Sequence, residues 1–185
     1  MSAPPITYTW APTRSAGLHR ATAADATLPE LVTVLRPKAG GTIDLVFSTT
    51  PDASQLQTLG ALVSAQELVS AKWERNAAID RRTRSLIGAG FTHLGILFSS
   101  SQAAQRTIVG YHDARNAINW IQSPVTHMSR DDTQSITLDS AGDVDALYDD
   151  MIAPIAAHRS SGAQLKNQVA AATSLAGVAA VVDNR

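Results

Sequence analysis

The sequence contains no cysteine, which removes disulfide scaffolding and thiolate metal sites at once. Aromatic residues are scarce, at 5% with three each of Trp, Tyr and Phe, while alanine is plentiful. Such a composition predicts a core of small-residue helix packing. No charge of one sign dominates: 15 Lys and Arg stand against 16 Asp and Glu, for a net charge of −1. That argues against a nucleic-acid binder relying on bulk positive charge. No run of about 18 uncharged apolar residues occurs, so no membrane span is expected. The opening Met1-Ser-Ala-Pro-Pro-Ile6 has neither a basic region nor an apolar run, so no signal peptide is expected and synthesis in a cytoplasm is. What is present, 44% hydrophobic and 17% charged residues over 185 positions, suits a globular domain, alone or with an extension.

Residues 1–50 differ from the rest. Ile6–Trp10, Leu31–Leu35 and Thr42–Phe47 are rich in β-favouring residues. Prolines at 4, 5, 12, 29 and 37 keep them short and suggest edge strands. Gly40-Gly41 can turn a hairpin between the second and third. So small a unit is marginal by itself, and it is predicted to be a docking extension, with Trp10 among its contact residues.

From Pro51 the period becomes helical. Pro51 and Asp52 mark a helix start. Leu59, Leu62, Val69 and Trp73 share one side, and Leu68, Ile79 and Leu86 another. This drifting stripe means that the helix changes partners along its length or breaks near Gly60. Unbroken to Ile87, it would span about 50 Å. Gly88 and Gly90 would stop it. Phe91–Phe98, with Gly95 near the middle, reads as a tight hairpin, and Ser99 with Gln102 as the cap of the next helix. That helix is expected to reach Trp120, with Ala104, Ile108, Tyr111 and Ile118 on one face. Val125–Met128 and Ser135–Leu138 can pair across a polar loop. Ser140 and Asp143 form a capping box leading into an apolar face of Val144, Leu147, Tyr148, Met151 and Ile155, which Pro154 should kink or end. A last helix over Gln164–Ala172 follows, with Thr173 as cap of a short terminal turn. The fold class is α+β: short N-terminal strands, a long helix, a hairpin, then a helical C-terminal half. The domains are 1–50 and 51–185.

No arrangement of residues announces catalysis. His19, His93, His112, His127 and His158 do not form a zincin pair, and surface or hairpin positions are expected for them. Ser99-Ser100-Ser101 has no nucleophile-elbow glycines. Gly40-Gly41 matches neither phosphate-binding pattern, and Asp143-Val-Asp145 lacks the glycine and glutamate of a calcium loop. No cofactor, metal or catalytic residue is assigned. The uneven feature is charge. Lys72–Arg84 holds five basic residues, Lys72, Arg75, Arg81, Arg82 and Arg84, whereas Asp131–Asp150 holds seven aspartates and no Lys or Arg. Two solvated faces are one reading; the other is that these patches meet, within the chain or between chains.

Arg75, Asp80, Arg81, Arg82, Ala89, Gly90, Phe91, Gly95 and Phe98, then Leu165, Lys166, Val169, Ala171 and Thr173, carry a resemblance. Over about Ala71–Ala180 the chain resembles a family of tailed-phage and prophage tail-associated domains of unknown biochemical function. Its pattern is a charged helix, an A-G-F hairpin, a helix, and a closing L-K-x-x-V/I-x-A-A-x-T helix. The family's turn usually places Asn or Asp before the glycine, where this chain has Leu94. Leucine is poor at positive φ, so a type II turn is expected here instead of type I′. The resemblance implies a non-enzymatic structural protein of the virion tail, at the baseplate, tail tip or fibre attachment. Its partners would be other tail or baseplate proteins or further copies of itself, without nucleic acid or membrane. A tail-fibre assembly chaperone is the alternative, and an enzyme the remaining class. Arg75, Arg81, Arg82 and Arg84 are the interface candidates with Trp10, while Gly90, Phe91, Gly95, Phe98 and Ser99 are the hairpin and cap residues.

Overall fold

A computed structural model describes residues 6–9, 32–37, 42–47, 52–117 and 124–185, the first three of these segments by backbone alone. Trp10, Ile118 and the Gly40-Gly41 turn lie outside them, whereas the helix expected to reach Trp120 already ends at Ala114, with Arg115 as its C-cap. The order is β1 (Ile6–Thr9), β2 (Val32–Pro37), β3 (Thr42–Phe47), α1 (Ala53–Gly88), β4 (Phe91–His93), β5 (Ile96–Phe98), α2 (Gln102–Ala114), β6 (Val125–Met128), β7 (Ser135–Leu138), α3 (Ala141–Ala171) and α4 (Leu175–Ala180). The fold is α+β and mostly helical.

Contacts divide these elements into two units. One holds β1–β3, α1 as far as Arg75, and Val169–Val182; the other holds Asn76–Gln168 and Asp183–Arg185. In the first, β3 is central in an antiparallel β1-β3-β2 sheet, with Ile6 opposite Leu45 and Pro37 opposite Ile43. Pro37 thus sits on an edge strand, the part of a sheet that accommodates proline. Leu59 and Val63 of α1 are buried in this unit, as are Val169, Val178 and Val181.

Helix α1 does not break at Gly60; it runs 36 residues. Its start is a reciprocal box: the Gln55 N–H donates to Asp52 Oδ1, and the Asp52 N–H to Gln55 Oε1, both at 2.9 Å. The bond from the Gln55 N–H, with one from the Ser54 hydroxyl, holds the exposed Asp52 carboxyl below its ordinary pKa. The drifting stripe is explained by burial at different places, Leu59 and Val63 in one unit and Ile79 in the other, while Val69 and Trp73 are exposed.

In the second unit Phe91, Phe98, Ile108, Ile136, Leu138, Val144, Leu147, Met151 and Ile155 form one core. The apolar face predicted for α3 is therefore its buried face. Two hairpins supply the rest: Phe91 opposite Phe98 in β4–β5, and Val125 opposite Leu138 in β6–β7. Gly90 has φ +99 and lies so close to the Phe98 carbonyl that a Cβ would collide with it, so glycine is required at the entry to the hairpin.

Several local expectations need correction. The β4–β5 turn has φ +50 at Leu94 and +80 at Gly95, the signs of type I′, not type II. A two-residue loop between paired His93 and Ile96 follows the right-handed strand twist only with positive φ at both positions, and this requirement overrides the leucine's preference. Ser99 does not cap α2. The cap is Ser101, whose hydroxyl accepts from the Ala104 N–H at 3.2 Å; Ser99 Oγ accepts from the Ser101 N–H, and Ser100 Oγ donates to the Ile87 carbonyl. Ser100 thereby ties the segment before the helix back to α1. Ser174, not Thr173, caps α4. Pro154 does not end α3, which continues to Ala171: Met151 and Ile155 beside it are 0% and 4% exposed, and packing outweighs one lost backbone bond.

Candidate functional site

The arginine-bearing side of α1 meets the chain's C-terminal segment. Lys72, Arg75, Arg82 and Thr83 recur at helical spacing and point to one side. In the first unit, Lys72 Nζ donates to the Ala170 carbonyl at 2.7 Å, and Arg75 Nη2 to the Val181 carbonyl. In the second, Arg82 Nε donates to the Arg185 carbonyl at 2.8 Å, joined there by its Nη2. Lys72 and Arg75 thus satisfy main-chain acceptors at the ends of α3 and α4.

The Arg185 side chain occupies a slot of its own. Asp183 accepts from its Nε at 2.8 Å and its Nη2 at 2.7 Å, a two-point fork. Nη1 donates to the His158 carbonyl at 2.9 Å and to Ser161 Oγ at 3.0 Å, and Nη2 to Thr83 Oγ1 at 3.1 Å. The pair is 16% and 11% exposed. Hydrogen bonds from Arg185 hold the Asp183 carboxyl below its ordinary value, and Asp183 in turn raises Arg185. Gly162 makes the slot possible: a Cβ there would lie 2.7 Å from Thr83 Oγ1 and 3.1 Å from Arg185 Nη1.

The remaining interface candidates differ. Arg84 Nε donates to the Asp80 carbonyl of its own helix at 3.3 Å, and Asp80 pairs with Lys166 at 2.9 Å. Arg81 is exposed, without a hydrogen-bond partner among the described residues. None of these arginines pairs with the Asp131–Asp150 segment among the described residues, and four of its aspartates, Asp131, Asp143, Asp145 and Asp150, are engaged nearby. Ser140 caps α3 by accepting from the Asp143 N–H at 3.2 Å and donates in turn to Asp143 Oδ2 at 2.7 Å, Asp145 pairs with Arg115 at 2.7 Å, and Asp150 accepts from His93.

Of the histidines, His93 lies in the β4–β5 hairpin and is buried at 5% exposure. Its Nδ1 donates to Asp150 Oδ2 at 2.8 Å, tying β4 to α3. His127 stacks on Phe98 with ring centres 5.5 Å apart and meets the edge of Tyr111; burial pushes its pKa down. His112 stacks on Tyr148 at 4.0 Å, with Nε2 3.5 Å from Asp145. Among the described residues no group of three or more His, Asp or Glu can hold a metal ion, and no helix is long and apolar enough to cross a membrane. The arrangement can anchor backbone and present charge.

The sequence reading missed Thr83, Ser161, Gly162, Asp183 and Arg185. Gly162 carried a signal, since an isolated glycine inside a helix often marks close packing. Comparisons with protein-family models, with curated proteins and with solved structures found no match to this chain.

Proposed function

We propose that this chain is a non-catalytic structural component of a phage or prophage tail, at the baseplate, tail tip or fibre attachment, acting by contacts with other proteins. The resemblance over residues 71–180 supplies the setting. The observation that carries the contact role is on α1: Arg81 and Arg84 are exposed, while Arg75 and Arg82 are turned onto the chain's own carbonyls. Exposed cations add only ~0–1 kcal/mol to a fold, whereas across an interface they set orientation and partner choice. Residues 1–50 would be a second docking element. Mass spectrometry of purified particles tests the reading: a component is present at fixed stoichiometry, and an assembly chaperone is absent. Reversing Arg81 and Arg84 to Glu should impair incorporation and leave the melting temperature of the free protein nearly unchanged. Normal incorporation of that double variant would rule the arginine contact out.

A further inference from the structure

Two residues other than glycine have positive φ among those described, Leu94 at +50 and Asp132 at +58, one in each hairpin turn of the second unit. Asp132 is ordinary, because a short polar side chain tolerates the left-handed region. Leu94 is not: its Cβ crowds the carbonyl and it has no local bond to offer. Nor does packing offset this strain, since Leu94 is 79% exposed. Within one chain the leucine is unfavourable in both conformation and hydration. Burial against something outside the chain would reverse the second term, and strain kept at an exposed apolar tip points to a contact.

A pocket of about 240 Å³ is lined by Leu97, Ser129, Arg130, Asp131 and Gln134, with room for a leucine side chain. It lies where the two hairpins are joined: the Arg130 N–H donates to the Leu97 carbonyl at 2.9 Å, and its guanidinium to the Ala89 carbonyl. Leu97 is 46% exposed and Met128, at the end of β6, 45%.

We propose that Leu94 of one copy enters this pocket on a second copy, which returns its own Leu94 in the same way. Knob and hole belong to hairpins of one compact unit, so a two-fold axis can satisfy both at once and close the assembly as a dimer. The charges fit that symmetry. Arg130 and Asp131 are adjacent and exposed, and antiparallel apposition sets each Arg130 against the Asp131 of the other copy. Hydrogen bonds from Thr133 and Ser129 lower the Asp131 pKa to about 2, so it is charged at neutral pH. Such a small contact should bind in the micromolar to submillimolar range. The pairing does not depend on the tail assignment, and particle composition does not bear on it.

Sedimentation of the full chain over that concentration range should show a monomer–dimer equilibrium. Leu94→Asn should weaken it at least tenfold. At a concentration where the native chain is monomeric, the same variant should melt at an equal or higher temperature, because asparagine suits the turn. Since the chain has no cysteine, mixing Leu94→Cys with Gln134→Cys protein under mild oxidation should give a disulfide-linked heterodimer in preference to either homodimer. A native chain monomeric throughout, a Leu94→Asn variant that dimerises as before, or a lower melting temperature for that variant would each overturn the proposal. So would capture of a different protein by Leu94 with no self-association.

Discussion

Phe91 and Phe98 show how much of the second unit rests on single side chains. Their rings stack with centres 5.7 Å apart, at 4% and 0% exposure, and His127 stacks on Phe98 in turn. Phe91→Ala should cost ~3–5 kcal/mol in a denaturant melt; a loss below ~1 kcal/mol would mean that the hairpin is not part of the core. His127 gives a pH dependence with a definite sign. Burial lowers its folded-state pKa below the ordinary 6.5, so the unfolded chain takes up a proton first as the pH falls. Stability should be unaffected by this group above pH 6.5 and decline below it, levelling off once the folded state also protonates. Replacing His127 with Gln should flatten that decline in melts run between pH 7.5 and 5; an unchanged profile would assign it to another group.

At the scale of elements, caps and turns decide where helices begin more finely than periodicity does. Three serines precede α2, and only Ser101 has its hydroxyl on the Ala104 N–H. Ser101→Ala should cost about 0.5–2 kcal/mol, and Ser99→Ala clearly less; equal costs would show that the cap is shared. The positions of α1, β4–β5, β6–β7 and the apolar face of α3 were legible because each carries its own period or glycine signal: Gly88 and Gly90 after α1, alternation in Val125–Met128, and Val144, Leu147, Met151 and Ile155 at helical spacing. Continuity through Pro154 was not legible. A local rule counts the lost hydrogen bond, whereas the buried Met151 and Ile155 that outweigh it make long-range contacts.

At the scale of the whole molecule, Arg185 joins residues far apart in sequence: Thr83 of α1, His158 and Ser161 of α3, and Asp183 beside it. Gly162 holds the space open, so Gly162→Ala should destabilise by ~1–3 kcal/mol through overpacking. Removing the Thr83 hydroxyl in a Thr83→Ala background should reduce that penalty, because the closest atom is gone. Strictly additive costs in the four-protein cycle would show that the two residues do not share the slot.

The sequence by itself determined the α+β class, most element positions and the buried face of α3, because these follow from local period, composition and capping chemistry. Only the tertiary structure decided that Arg75 and Arg82 hold the chain's own C-terminal carbonyls, that His93 is buried against Asp150, and that Leu94 takes a positive φ. Each of these is a contest between a residue's own preference and a distant or geometric constraint. Which side wins depends on what three-dimensional packing brings alongside.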